Sequence, residues 1–236
     1  MGKSIGKALE KAIKTENEVE LQTSGQAIFH PARLAILEYL TKRPCSHQGL
    51  ISKDLSVARA TIRWHTRILS ESNYLASKSM GNKLIYIPSN YMDVADIQVL
   101  SILRQDEARA MFTIIFNDPG LSTGEISDKV EAGSEVHHRK LLNDLVSNDL
   151  VSILKDGRTN RYYPTSLLQK KREQYETLGK HFLSGLIKRF QADSIDAEIA
   201  HSSGQKVVLR LGFKGKKHTM NISTNPFIAI FNKYLD

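Results

Sequence analysis

Cysteine and tryptophan each occur once in these 236 residues, as Cys45 and Trp64. A lone cysteine excludes an intrachain disulfide and every all-cysteine zinc site, so stability has to come from packing. Cys45 itself reads as a bystander at a helix junction. Long apolar runs are missing as well. No stretch approaches the roughly 18 apolar residues of a membrane span, and the opening Met1-Gly-Lys-Ser-Ile-Gly-Lys7 lacks the apolar centre of a secretory signal. An intracellular, cytoplasmic chain with no membrane partner is expected. There is also no phosphate-cradling Gly loop, no nucleophile beside an oriented base and no paired-carboxylate motif, so neither an enzyme nor a cofactor is expected.

What the chain does have is positive charge, a formal net of +8 with a pI near 9.5, which favours a polyanionic partner. The charge is unevenly spread. Residues 31–90 hold nine Lys/Arg against three Asp/Glu, residues 106–164 hold seven against ten, and residues 165–236 hold twelve against six. A hydrophobic content of 41% supports ordinary cores, and the length implies two or three modules.

The most informative stretch is 59–72. It contains no Gly or Pro, and Ile62, Thr66 and Leu69 recur at i, i+4 and i+7, so one side of a helix can face a core. On the other side Arg59, Arg63 and Arg67 recur every four residues, with Ala60, Thr61 and Trp64 beside them: long donors flanked by small groups that let a backbone approach a groove. Asn73 ends the helix. Residues 75–77 and 83–87 are β-prone runs around Met80-Gly81-Asn82, a hairpin signal in which Gly supplies the unusual φ. That hairpin carries Lys78, Asn82 and Lys83. Upstream, Pro31 suits a first helical turn, Leu34, Ile36, Leu37 and Leu40 give an apolar face, and Lys42-Arg43-Pro44 stops the helix. A second helix is expected at 46–55.

Helix, helix, recognition helix and hairpin within some sixty residues resembles the winged helix-turn-helix of the ArsR/MarR superfamily of transcriptional regulators, archaeal members in particular. The carrying motifs are His30-Pro-Ala-Arg-Leu-Ala-Ile-Leu-Glu-Tyr-Leu40 and Ala60-Thr-Ile-Arg-Trp-His-Thr-Arg-Ile-Leu69. The chain departs from the family in having Ala58 and Ala60 where a polar residue is usual, Thr66 for Leu and Asn73 for Gly. The resemblance implies double-stranded DNA as partner, with Arg59, Ala60, Thr61, Arg63, Trp64 and Arg67 in the major groove and Lys78, Asn82 and Lys83 on a phosphate-binding wing.

Residues 106–164 repeat the layout. An apolar helix at 108–116 is closed by Asn117-Asp-Pro-Gly120, Ser122-Thr-Gly-Glu125 is a capping box, and a third helix at 134–147 turns Leu141, Leu142, Leu145 and Val146 inward. Strand, turn and strand follow through Asp156-Gly157 and Arg161-Tyr-Tyr-Pro164. Ser72-Asn-Tyr-Leu75 and Asn148-Asp-Leu-Val151 are paired phrases of one duplication. The second copy has lost the arginine row: Ser134, Glu135, His137, His138, Arg139 and Lys140 stand in its place, while Lys155, Arg158 and Arg161 equip its hairpin for phosphates or a minor groove. Three roles stay open for it: DNA binding led by its wing, with His137 and Lys140 assisting; dimerisation by a degenerate copy; or metal ligation by His137 and His138. Adjacent histidines on a helix point about 100° apart, so the metal reading is the weakest, and His138, in line with Leu142 and Leu145, reads as core.

The fold class expected is mainly α with small β-wings. Its parts are a charged N-terminal helix or arm (1–21), a first winged helix-turn-helix domain (22–91), a connecting helix (92–105, apolar over 92–103), a second winged helix domain (106–165), a long helix (166–192) and a C-terminal β-meander plus helix (193–236). The meander is read at 197–200, 206–212 and 218–222, and the last helix from Asn225-Pro226 through Phe227, Ile230, Phe231 and Leu235. The apolar face of the long helix needs a partner, either a second copy in a homodimer or the chain itself, and Gly179 and Gly185 argue against a regular coiled coil. The terminal module reads as a ligand sensor, an oligomerisation patch, a packing element or a further basic DNA surface at Lys214, Lys216 and Lys217. The function expected is a DNA-binding transcriptional regulator associated with the nucleoid. Its alternatives are an architectural or chromatin DNA-binding protein and a scaffold docking onto the transcription machinery.

Overall fold

The computed structural model describes residues 24–130 and 133–231. The charged segment at 4–20 and Leu235 lie outside them. The chain is a mixed α/β protein in which helices surround three small antiparallel sheets. No helix among the described residues is long and apolar enough to cross a membrane.

A short helix α1 (Ser24–Ile28) leads into α2 (Pro31–Lys42), whose first turn is capped by His30 Nδ1 accepting from the Ala32 N–H at 3.2 Å. Leu34, Ile36, Leu37 and Leu40 are all buried, as the spacing required. The helix expected at 46–55 is shorter than its pattern. Ser46 and His47 form β1 (Ser46–His47), paired with Tyr86 and Ile85, and only then does α3 (Gln48–Asp54) begin, with His47 as its cap. The polar pair is drawn out of the helix because a strand partner forty residues away offers its backbone hydrogen bonds. Next come α4 (Arg59–Glu71) and the hairpin β2 (Leu75–Met80) and β3 (Lys83–Pro88), in sheet order β1-β3-β2, with Gly81 at φ 56° in the two-residue loop.

Helix α5 (Asp96–Leu103) starts four residues later than the apolar pattern at 92–103. Residues 93–95 form a turn instead, with the Asp96 N–H donating to the Asp93 carbonyl at 3.1 Å. The order then recurs: α6 (Asp106–Asn117), β4 (Leu121–Ser122), α7 (Thr123–Lys129), α8 (Glu135–Ser147), β5 (Val151–Asp156) and β6 (Thr159–Pro164), with sheet order β4-β6-β5. The likeness extends to single hydrogen bonds. Asn73 and Asp149 end α4 and α8 at φ 59° and 56°. The next N–H, of Tyr74 or Leu150, then reaches back to the carbonyl of Leu69 or Leu145 at 2.8 or 3.0 Å. Asparagine and aspartate tolerate this left-handed backbone better than most residues, which is why Asn73 can stand where Gly is usual.

Helix α9 (Leu167–Ala192) has 26 residues, and its buried face runs through Leu168, Tyr175, Gly179, Phe182, Leu186 and Phe190. That face is covered from within the chain: Tyr91 packs on Phe182 at 4.7 Å, Tyr74 on Phe190 at 5.4 Å and Phe227 on Tyr175 at 5.3 Å between ring centroids. Tyr175 also donates to Asp96 Oδ2 at 2.8 Å, and Lys171 meets the other oxygen of that buried carboxylate at 2.7 Å.

The meander is longer than its alternation implied: β7 (Asp196–Ser203), β8 (Lys206–Phe213) and β9 (Lys216–Ser223), followed by the single turn α10 (Pro226–Ala229), capped by Asn225. It docks on α2, where Glu38 Oε2 accepts from the Asn221 N–H at 3.0 Å and Thr41 Oγ1 from the Ser223 N–H at 3.2 Å. One continuous apolar core results, shared by both helical repeats, α9 and the meander. Cys45 is buried in it, and that burial pushes its thiol up to about 12, so it is an inert packing group.

Candidate functional site

Helix α4 turns Ile62, His65, Thr66, Ile68 and Leu69 into the core. The opposite side is therefore left to solvent, and Arg59, Ala60, Thr61, Arg63 and Arg67 are all exposed. Thr66 sits where an aliphatic residue would be ordinary, and its buried hydroxyl is satisfied by donating to the Ile62 carbonyl at 2.8 Å. Arg67 is held by Glu71 at 2.7 Å. Arg59 and Arg63 make no ion pair among the described residues. Ala58 occupies the N-cap position without a side chain that can accept, and the first turn has no acidic residue. Its first N–H groups and the positive end of its dipole thus face outward beside Arg59.

Trp64 is placed differently from the arginines. It is half-buried, its ring 4.7 Å from that of His65, and the Arg33 guanidinium lies 5.4 Å from its centroid. It acts as a prop between α4 and α2 as well as lining the edge of the exposed face.

Lys78, Asn82 and Lys83 are exposed on the β2–β3 hairpin, Lys83 facing Met80 across the ladder. The imidazole of His47 reports where these charges converge. Its proton affinity is lowered by burial first, and then by the positive charges of Lys83, Arg104 and Arg59. The Arg59 guanidinium also lies over Gly49, 3.6 Å from where a Cβ would stand. Lys83 of the hairpin and Arg59 of α4 therefore flank the start of α3 together. Sequence reading missed His47 and Gly49 here, since nothing local ties them to a helix ten residues on.

The corresponding face of the second repeat is largely neutralised. Val136 is 79% exposed and Lys140 is exposed, but Arg139 pairs with Glu135 at 2.7 Å, and His137 Nε2 is held by Glu107 of α6 at 2.7 Å. His138 is buried in the core as its register implied. The two histidine rings stand 6.5 Å apart, and no group of three or more metal-ligating side chains is assembled among the described residues. On the hairpin, Lys155 and Arg158 are exposed and make no ion pair among the described residues. Arg161, expected beside them, is engaged with Glu125 at 3.0 Å, Asp156 at 3.3 Å and the Gly120 carbonyl at 3.3 Å. Glu125 is at once the capping-box acid of α7, and its bonds from the Ser122 side chain and backbone, aided by Arg161, lower its proton affinity. Arg161 thus ties the hairpin to a helix cap.

No protein-family model matches this chain. It is similar to an uncharacterized HTH-type transcriptional regulator of Methanocaldococcus jannaschii, 30% identical over 103 residues, which is 44% of this chain and 26% of that protein. The chain thus spans about a quarter of that relative's length. Among solved structures, the DIP2311 protein from Corynebacterium diphtheriae aligns over 56% of this chain and 26% of its own, at 18% identity and a TM-score of 0.23. IdeR of T. acidophilum aligns over 84% of this chain and 93% of its own, at 13% identity and a TM-score of 0.21. Scores this low leave the fold to be read from its own elements.

Proposed function

We propose that the chain is a non-enzymatic, DNA-binding transcriptional regulator built on tandem winged helices, the first at 22–91 and the second at 106–165, joined by residues 92–105. The flanking segments 166–192 and 193–236 serve as a long connecting helix and a terminal module. The name of the M. jannaschii relative supports this reading. The observation that carries it is the exposed face of α4: Arg59 and Arg63 without carboxylate partners among the described residues, a first turn with no side-chain cap, and Lys83 exposed on the neighbouring hairpin. Long cationic donors on a rigid helix beside a basic hairpin fit a groove and its bordering phosphates. Ala60 and Thr61 keep the approach close, Arg67 and Trp64 lie at the margin, and Lys78 and Asn82 extend the phosphate contacts.

The second repeat acts through the tip of its hairpin at Lys155 and Arg158, with Lys140 exposed on α8. His137 and Arg161 are engaged by carboxylates of the same chain and have positioning roles there. A homodimer would use the outer side of α9, because its inner side is covered, and sedimentation equilibrium tests that. A cytoplasmic, nucleoid-associated location follows from the DNA partner.

The deciding experiment selects duplexes from a random library and measures affinity against salt concentration for the intact chain and for Arg59→Ala with Arg63→Ala. The double variant should lose at least about tenfold in affinity and relax the sequence preference, whereas Lys78→Ala with Lys83→Ala on the hairpin should lower the log–log salt slope by about 2, near one per phosphate contact. Unchanged duplex binding at moderate salt sinks the reading of α4. Equal affinity for unrelated duplexes selects the architectural alternative, and capture of transcription proteins without DNA selects the scaffold.

A further inference from the structure

The docking of the meander on α2 leaves a cavity of about 480 Å³ between β8, β9, α10 and the junction of α5 with α6. Lys42, Arg43, Arg104, Arg109 and Lys206 all line it, and among the described residues no aspartate or glutamate does. Three carboxylates pair with four of these cations. Glu38 holds Lys42 at 2.9 Å, and Asp106 holds Arg109. Asp54 is shared by Arg43 and Arg104, each at 3.9 Å, the outer limit of an ion pair. Lys206 makes no ion pair among the described residues. The rim therefore carries a surplus of positive charge.

The rest of the lining is mixed: His201, Ser203, Asn221 and Ser223 contribute polar groups, and Val207, Val208, Ile222, Ala229 and Ile230 contribute apolar ones. Five cations brought into one cavity by three distant parts of the chain repel one another. Low-dielectric walls strengthen that repulsion, so a bound anion is favoured. The volume falls within the range of small-molecule sites, which pair an apolar lining with a few fixed polar groups. Guanidinium forks match a carboxylate or phosphate two hydrogen bonds at a time.

We propose that this cavity is an effector site for a small amphipathic anion, a carboxylate or phosphate monoester whose apolar body lies against the apolar part of this lining, Val208 included. The site has a route to the groove-facing helix. Arg104 donates to Ser46 Oγ and to the Tyr39 hydroxyl, both at 3.3 Å, and Tyr39 in turn donates to Asp54 at 2.9 Å. Asp54 is the last residue of α3, which immediately precedes α4. An anion that draws Arg43 and Arg104 toward itself loosens their hold on Asp54. Ligand and duplex then change each other's affinity by the same factor. This regulatory half rests on the proposed DNA reading; occupancy of the cavity does not.

The test titrates the full chain with octanoate and with hexyl phosphate by calorimetry, using 1-octanol as the uncharged control. Expected is saturable one-to-one binding of at least one anion, with octanol at least tenfold weaker. Lys206→Glu should weaken the anion at least tenfold, Val208→Trp should fill the cavity and abolish binding, and Lys180→Glu, an equal change of charge on α9, should leave it intact. If Val208→Trp does not fold, the exposed Lys206→Glu decides. The site is refuted by no saturable binding of either anion, by octanol binding as tightly, or by equal effects of Lys206→Glu and Lys180→Glu. A saturating anion should also shift selected-duplex affinity several-fold. No shift removes the effector role, whereas loss of all duplex binding with calorimetry intact indicts the DNA reading and leaves the anion site standing.

Discussion

His65 lies on the inner side of α4, its ring 4.9 Å from His30 and 4.7 Å from Trp64, with Arg33 close by. Burial first, then the positive charges of His30 and Arg33, push its proton affinity down to about 4 from the ordinary 6.5. Between those two values the unfolded chain binds the extra proton, so His65 leaves stability intact above about pH 6.5 and erodes it as the pH falls toward 4. A shift of that size is worth roughly 3 kcal/mol at most. Melting temperatures followed from pH 7.5 to 4.5 should therefore decline less steeply for His65→Leu than for the natural chain; parallel curves would mean that another group drives the loss. The role was hidden at the sequence level. Periodicity told which side of α4 was buried, but not that two histidines, an arginine and a tryptophan would meet there.

Elements were the most legible level, because caps, turns and periodicity act within a few residues. The capping box at Ser122 and Glu125 is formed as written, and the Gly81 and Gly157 hairpins turn where expected. The two-residue strands β1 and β4 were not legible, since their pairing depends on β3 and β6, nearly forty residues away. Nor could the glycines of α9 be told apart. A Cβ at Gly179 would lie 2.4 Å from the Thr224 carbonyl oxygen, whereas one at Gly185 would meet nothing within 4 Å. Opposite outcomes are expected in urea denaturation. Gly179→Ala should destabilise by about 1–3 kcal/mol, because the helix must move off the loop, and Gly185→Ala should stabilise by up to about 1 kcal/mol. Two effects of the same sign would contradict this packing.

At the scale of the whole molecule, the meander supports the first repeat. It supplies the backbone N–H partners of Glu38 and Thr41, and the chain beyond it brings Phe227 against Tyr175. Val207, Leu209, Leu211, Met220 and Ile222 are buried with it. Removing residues 196–231 should therefore lower the melting temperature of the remainder by roughly 10 °C or more, given about 2–4 °C per kcal/mol for a chain of this size. Circular dichroism melts of the shortened and full chains check this, and an unchanged midpoint would make the meander an independent unit. Of the roles left open for the terminal module, packing against α2 is the one the contacts display.

The sequence by itself determined the order of most of the elements, the inward and outward sides of α4 and the concentration of positive charge near that helix. These depend on contacts three, four or two residues apart, which a linear pattern records. Tertiary structure alone decided which charges remain uncompensated. Arg161 has the same chemistry as Arg59 in a list, yet Glu125 and Asp156 neutralise it, and the ring of His137 is held by Glu107. It also decided that the apolar face of α9 is covered from within, and that five cations gather around a cavity beside α2. Those outcomes depend on residues as far apart as Glu38 and Asn221, whose proximity exists only once the chain has folded.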